Sequence, residues 1–315
     1  MINTDMLVEI AAMHYESGLT QEEISQRIGL SRPYVSRLLK RAHEEGIIEI
    51  IVHRPVETNK SLQQELVRRF GLLDARVLAS PADEAHIDTL MGQLGASYLS
   101  TIIQDNMTIG ASFGNSVYQV VRAMPQHKDV KAIKVTQLVG GRHGLSSETD
   151  GPMVAEILAS RLGAPFYRLH APLLLDSAET RDSLVSSPAI ADVLAMTRVA
   201  DIALVGIGAW HNYAPSLQRL NYHLDDQELH DLEQAGVVGD ILTRCIDHSG
   251  AVIPSPINRG IVGIDPNDLL DMRWVIGLAW QEEKVQAILA TLRGHYLNVL
   301  ITNESCAQQV LDTSS

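Results

Sequence analysis

Between residues 4 and 17 the apolar side chains Leu7, Ile10, Ala11 and Tyr15 recur every three or four positions, which predicts an amphipathic helix ended by Gly18. Ile24 and Ile28, then Val35, Leu38 and Leu39, mark two further short helices separated by Gly29. The pattern changes in the β-branched run Ile47-Ile48-Glu49-Ile50-Ile51-Val52-His53, bounded by Gly46 and Pro55, which predicts a strand and with it a wing or half of one. The short polar stretch from Pro55 to Lys60 is the best boundary, giving domains 1–54 and 55–315. Leu62, Leu66 and Phe70 then predict one helix, which packs either on a partner subunit or on its own domain.

From residue 73 short apolar runs alternate with amphipathic helices. Strands are predicted at 75–79, 107–111, 132–139, 165–169, over the run 201–209, and at 274–279 and 297–301. Helices are predicted between them, at 115–123, 153–162, 281–293 and 303–311, with a long one carrying Ile87, Leu90, Met91, Leu94, Tyr98 and Ile102. Such alternation predicts an α/β domain with a Rossmann-like, largely parallel sheet, whose ligands bind at the carboxyl ends of the strands.

The stretch from Thr20 to Arg41 carries the most specific local signal. Thr20 and Glu23 stand at capping-box spacing, Gly29 suits the left-handed stop of a helix, and Ser31 is placed to cap the next one, with Pro33 inside its first turn. Gln21, Ser25, Gly29, Val35 and Leu38 follow the spacing Q-x3-[AS]-x3-G-x5-V-x2-L of a helix-turn-helix, in which the small residues let two helices approach at a steep angle. Arg32, Arg37, Lys40 and Arg41 are basic with no acid between them, and Tyr34, Ser36 and Arg37 lie away from the apolar face. A recognition helix presents such a face to base edges and phosphates. The expected DNA-contacting set is therefore Thr20, Gln21, Ser31, Arg32, Tyr34, Ser36, Arg37, Lys40 and Arg41, while Arg54 is either a backbone contact or a solvated strand end.

The net charge of −13 sharpens this picture. Residues 1–54 carry six basic and eight acidic side chains, so −11 of that charge belongs to the rest of the chain. The cationic patch is thus confined to one helix, and an acidic body discourages indiscriminate coating of DNA. Two cysteines, Cys245 and Cys306, form no disulfide or metal pattern, and twelve histidines show neither H-x3-H on a helix nor H-E-x-x-H. No metal, no cofactor and no catalytic nucleophile are expected. No run of about 18 uncharged apolar residues occurs, so the expectation is a cytoplasmic protein without membrane partners.

Four strand ends carry candidate chemistry. In T-I-G-A-S-F-G-N-S-V-Y a strand runs into Ser112, Gly114, Asn115 and Ser116 just before a helix, which suits either an anion on backbone amides or a capped tight turn. In V-G-G-R-H-G, Gly140 and Gly141 permit close approach, and Arg142 suits a phosphate or carboxylate, or else is an exposed arginine in a turn. Asp240 interrupts the apolar run V-G-D-I-L and either caps a turn or accepts from hydroxyl groups. Lys284, early in a predicted helix, opposes the helix dipole unless an anion lies nearby, although Glu282 and Glu283 already offset that cost.

Taken together, T-Q-E-E-I-S-Q-R-I-G-L-S-R-P-Y-V-S-R-L-L-K-R, I-G-A-S-F-G, V-G-G, V-G-I-G, V-G-D-I-L-T-R and the C-terminal E-E-K-V-Q-A-I-L-A-T-L-R-G-H-Y-L-N-V-L-I-T-N resemble the SorC family of bacterial sugar-responsive transcriptional regulators, most nearly the sorbose-operon type. The resemblance covers nearly the whole chain. It implies a winged helix-turn-helix head and an effector domain similar to sugar-phosphate isomerases and deaminases, usually in a homotetramer. Because one recognition helix buries too little surface for tight specific binding, two copies on a pseudo-palindromic operator are expected. It further implies that Ser112, Gly114, Asn115 and Ser116 hold the phosphate of a sugar or polyol. Gly140 and Gly141 would shape the pocket, and Asp240 and Lys284 would contact the sugar phosphate. Where the family often has an aromatic-Gly-Arg or Gly-Thr pair, this chain has Phe113-Gly114-Asn115-Ser116.

Two functions follow. One is a regulator of a carbohydrate catabolic operon switched by a phosphorylated sugar; the other is a sugar-phosphate isomerase or deaminase-like enzyme with an appended DNA-binding head. The enzyme needs a base near neutral pH, for which Asp240 is the one nominee.

Overall fold

The computed structural model describes residues 4–48, 56–80, 84–126, 130–142, 148–211 and 224–314. The chain divides into two compact units, Met1–Pro55 and Val56–Ser315.

In the first unit, helices α1 (Thr4–Tyr15), α2 (Gln21–Ile28) and α3 (Arg32–Glu44) enclose a small core of Leu7, Ile10, Ala11, Ile24, Val35, Leu38, Leu39, Ala42 and Ile48. Tyr15, expected on the apolar stripe of α1, is instead exposed, because the helix ends there and the chain turns away. The capping box closes in both directions: the Thr20 N–H donates to Glu23 Oε2 at 2.8 Å and the Glu23 N–H to Thr20 Oγ1 at 3.3 Å. Gly29 adopts φ 71°, the left-handed conformation that ends α2. Ser25 Oγ donates to the Leu30 carbonyl at 2.6 Å, so serine satisfies a turn carbonyl where alanine could not. Ser31 occupies the N-cap of α3 but makes no capping hydrogen bond through its side chain, and Pro33 in the first turn has no N–H to offer it. The predicted strand from residue 47 lies, from residue 49 on, outside the described residues, as does Arg54; Ile48 packs into the core of the unit.

The second unit begins with α4 (Lys60–Phe70), which buries Leu62 and Leu66 against its own sheet. That face is therefore spent within the unit. The parallel strands β1 (Asp74–Leu78), β2 (Thr108–Ala111), β3 (Lys134–Gln137), β4 (Phe166–Tyr167), β5 (Ile202–Ala209), β8 (Trp274–Leu278) and β9 (Val299–Asn303) lie in the order β1-β9-β8-β5-β2-β3-β4. An antiparallel hairpin, β6 (Val237–Ile241) and β7 (Arg244–Asp247), extends the carboxyl end of β5. The sheet is largely parallel, as its sequence pattern predicts.

Both faces are covered, which is why the strands read as unbroken apolar runs. Ala203, Val205 and Ile207 point to a core shared with α4, α12 (Val285–Arg293) and α13 (Glu304–Thr313), whereas Ile202 and Leu204 point to one shared with α5 (Ile87–Ile102), α6 (Asn115–Ala123) and α7 (Gly151–Leu162). Helices α8 (Ala178–Val185), α9 (Pro188–Arg198), α10 (Asp226–Gln234) and α11 (Pro256–Gly260) complete the unit. The helix expected at 281–293 begins instead with a 3-10 turn, Glu282–Lys284, before α12.

From β2 the chain crosses to β3 on one side, and from β5 it reaches β8 on the other, so the winding reverses between β2 and β5. Such a reversal opens a crevice at the carboxyl ends of the two strands.

Candidate functional site

In the first unit, Val35, Leu38, Leu39 and Ala42 turn the inner face of α3 into the core, which leaves Ser36, Arg37, Lys40 and Arg41 exposed on the outer face. Ser31 and Arg32 are exposed at its start, and Tyr34 is half-buried with the Arg37 guanidinium 5.4 Å from its ring. Lys40 and Arg41 pair one turn on with Glu44 (3.7 Å) and Glu45 (2.5 Å), exposed pairs worth little and readily exchanged for phosphates. The sequence had shown no acid between the basic residues; the structure shows acids just beyond them. Thr20 is exposed at the cap of α2, and Gln21 half-buried at its first position.

In the second unit, the predicted effector residues lie at the carboxyl ends of several strands: the loop 112–116 follows β2, residues 140–142 follow β3, Asp240 is on the hairpin that extends β5, and Lys284 follows β8. After β2, the Ser112 N–H donates to the Leu204 carbonyl (2.9 Å) and Ser112 Oγ accepts from the Gly206 N–H (3.2 Å), so this serine stitches the two strand ends together. Gly114 has φ 107° and caps α6, with its N–H given to the Thr149 carbonyl at 2.9 Å. Asn115 and Ser116 open α6, one exposed and one buried. The Asn115 side chain is already committed: its Nδ2 donates to Asp88 Oδ2 (2.9 Å) and its Oδ1 accepts from Gln119 Nε2 (3.1 Å).

Beyond β3, Gly140 and Gly141 serve close approach, but to the protein itself. A Cβ on Gly140 would lie 2.6 Å from the Pro172 carbonyl carbon, and the two glycine N–H groups donate to Val262 and Ala171 carbonyls. Arg142 is likewise occupied. Its backbone N–H and Nε donate to Asp150 Oδ1 (3.0 and 3.3 Å), one terminal nitrogen donates to Thr149 Oγ1 (3.1 Å), and the guanidinium lies 5.2 Å from the Phe113 ring. Arg142 therefore borders the loop 112–116, with its charge balanced internally.

Asp240 stands on β6 opposite Gly208 of β5. Burial pushes its carboxyl up to about 6, while the charge of Lys284 and the N–H of Thr243 pull it back. That N–H comes from the hairpin corner Leu242-Thr243, where both residues have positive φ (50° and 67°). This two-residue turn is costly for a leucine and a β-branched threonine, and the strain falls where it aims an amide at the carboxylate. Lys284, in the 3-10 turn after β8, is pushed below the usual lysine value by desolvation, with Asp240, Glu283, Cys306 and Asp88 opposing the shift. Beside it the buried Gln281 Oε1 has no partner among the described residues.

Three further residues complete the arrangement. Gly208, in the V-G-I-G run, leaves room for Asp240, since a Cβ there would lie 2.8 Å from its Cγ. Trp280 Nε1 donates to Asp88 Oδ1 at 2.7 Å, and Asp88, in the first turn of α5, thereby ties Asn115 at the β2 end to Trp280 at the β8 end. The glycine run was a visible signal; Asp88 carries no local motif at all.

A helix-turn-helix unit joined to an α/β ligand domain defines a transcriptional regulator that carries its own sensor. The comparisons with known proteins agree. A family described as "Putative sugar-binding domain" matches residues 54–312, and one described as "Winged helix-turn-helix DNA-binding" matches residues 10–49. The sorbitol operon regulator of Klebsiella pneumoniae is 32% identical over 320 residues, spanning 99% of this chain and 100% of that protein. The deoxyribonucleoside regulator of Bacillus subtilis is 32% identical over 306 residues, spanning 97% and 96%. The crystal structure of the full-length Klebsiella regulator, SorC, superposes with a TM-score of 0.72 at 30% identity, covering 98% of this chain and 99% of that one. The chain belongs to the SorC family of transcriptional regulators. Among the described residues no helix is long and apolar enough to cross a membrane.

Proposed function

We propose that this regulator controls a carbohydrate catabolic operon in the cytoplasm, and that a phosphorylated sugar or polyol sets its affinity for a pseudo-palindromic operator. The effector occupies the crevice where the loop 112–116, Asp240 and Lys284 converge, in a domain spanning residues 55–315 that also holds the homotetramer together. The observation that carries this reading is Lys284 itself. A cation held below the usual lysine value by desolvation, in the field of a buried carboxylate, is an expensive arrangement for stability alone. An anion with a hydroxylated tail fits it: the lysine and the helix start at Asn115 favour the charge, and Asp240 accepts from hydroxyls.

Lys284→Met keeps the apolar stem and removes the charge. Isothermal titration of the full chain with a panel of sugar phosphates should show affinity falling by about ten- to a hundredfold, the worth of one charge-assisted contact. Operator binding without effector should be nearly unchanged, because only differential affinity moves the equilibrium. A variant that responds at the wild-type concentration would reduce Lys284 to a surface charge and displace the pocket.

One observation favours a second reading. A carboxyl at about 6 is close to the value a general base needs. An enzyme would interconvert or deaminate some member of the same panel at neutral pH, and Asp240→Asn would abolish it; the regulator leaves every sugar phosphate unchanged.

A further inference from the structure

Asp88 belongs to no predicted set, yet it touches both halves of the crevice. Its Oδ2 accepts from Asn115 Nδ2 at the head of α6 (2.9 Å), and its Oδ1 accepts from Trp280 Nε1 just after β8 (2.7 Å). The strands that end in these residues are not neighbours, for β5 lies between them. The carboxylate therefore braces the loop 112–116 against the turn that carries Lys284. Its charge also reaches Lys284, so the lysine lies in the fields of two site carboxylates, Asp88 and Asp240.

We propose that Asp88 is a specificity-determining residue of this pocket, one that admits a phosphate only when a hydroxylated tail comes with it. The inference rests on the effector site assigned above. A lysine in the fields of Asp240, Glu283 and Asp88 sits among net negative charge, which offers a small bare anion little attraction. A sugar or polyol phosphate overcomes this, because its hydroxyl groups donate to the carboxylates while its phosphate takes the lysine and the amides of the helix start. Inorganic phosphate has no such tail. Asp88 thus keeps the most abundant phosphate anion from occupying the sensor, and its two hydrogen bonds hold the span that a longer ligand must bridge.

The test is calorimetric titration of the full chain with inorganic phosphate, and separately with hexose 6-phosphate, hexitol 6-phosphate and pentose 5-phosphate. Asp88→Asn removes the charge at nearly constant shape and keeps one of the two hydrogen bonds, since its amide oxygen accepts and its nitrogen does not. It should bind inorganic phosphate at least about threefold more tightly, while the best sugar phosphate weakens by about tenfold or more. A residue that merely supports the fold would weaken both ligands together, so opposite signs are the signature. Asp88→Glu keeps the charge and displaces the hydrogen bonds; it should lose sugar-phosphate affinity yet leave inorganic phosphate as weak as in the wild type. Asp88→Ser replaces the asparagine variant if that fails to fold. An unchanged ratio of the two affinities in Asp88→Asn, or a parallel loss of both, overturns the proposal while leaving the effector site standing. A wild-type chain that binds none of the three sugar phosphates overturns the site and this inference together.

Discussion

Replacing Gly208 by alanine tests how the site is built. A Cβ at this position would lie 2.8 Å from Asp240 Cγ and 3.2 Å from Oδ2. The Cβ would overlap Oδ1 most deeply of all, and ordinary contacts begin at about 3.2–3.5 Å, so the carboxylate has to retreat by about 1.5 Å. What gives way decides the outcome. The obstacle is the end of a short side chain rather than backbone, so the sheet pairing of Gly208 with Asp240 persists and overpacking costs only about 1–3 kcal/mol. The carboxylate, by contrast, cannot keep its place beside the Thr243 N–H and in the field of Lys284. Loss of one charge-assisted contact to the ligand lowers effector affinity by about ten- to a hundredfold. Two measurements follow this. Calorimetry reports the affinity, and carbon-13 NMR of the labelled aspartate reports its titration, which should move from about 6 toward the ordinary 3.8 as the group leaves its buried seat. An alanine variant with effector affinity within about twofold of wild type and a carboxyl still titrating near 6 would refute the geometry.

Other outcomes follow from single contacts. Arg37→Ala should cost about 1–3 kcal/mol of operator binding and relax preference at one position per half-site, whereas Lys40→Ala should weaken all sequences alike and reduce the salt slope by about 0.9; titrations in which neither variant differs from wild type would mean that another helix faces DNA. Because the Asp240 carboxyl is raised from 3.8 to about 6 on folding, its stabilising share is complete below pH 3.8 and lost as pH rises through about 6. That share is at most about 3 kcal/mol, and denaturant titrations between pH 4 and 7 should show the slope in wild type and not in Asp240→Asn. Gly29→Ala, at φ 71°, should lower stability by about 1 kcal/mol without changing base preference, read as a fall in melting temperature at constant operator specificity. Sedimentation equilibrium of the full chain at micromolar concentration should give a tetramer; a monomer would remove the proposed means of engaging two half-sites.

How much of this the sequence disclosed depends on the range of each interaction. The helix-turn-helix was legible because capping boxes, a left-handed stop and a steep crossing are local: Thr20, Glu23, Ser25, Gly29 and Val35 lie within sixteen consecutive residues, and the structure uses them as that spacing requires. The parallel sheet was legible because strands buried on both faces must be apolar throughout. Contacts between distant strand ends were not. Nothing near Arg142 in sequence announces that Asp150 will neutralise it, and nothing near Asn115 indicates that Asp88 will take its amide. The glycines at 140 and 141 read as room for close approach; at 140 that room is taken by the backbone of Ala171 and Pro172, whereas a Cβ on Gly141 would come close only to the Pro152 side chain, at 3.1 Å. The hairpin β6–β7 was overlooked because Leu242-Thr243 is a turn pair that propensity argues against.

The same energies set the sensitivity of the proposed switch. Allosteric coupling between an effector and a distant site is typically about 1–3 kcal/mol, a change of about 5- to 150-fold in affinity. One charge-assisted contact is worth about 1.5–3 kcal/mol, which is the size of the whole coupling. Where such a contact is made alike in both states, losing Lys284, or displacing Asp240 through Gly208, raises the effector concentration that is needed and leaves the coupling itself intact. The operator-binding surface loses nothing, because its capping box, its core and the outer face of α3 are made within residues 1–55. Substitutions in the crevice should therefore yield chains locked in the effector-free response at ordinary effector concentrations, with the response returning at concentrations about ten- to a hundredfold higher. A crevice variant that loses its response and cannot be rescued by more effector has instead lost the coupling between the two units, and its residue belongs to the route of transmission rather than to the pocket.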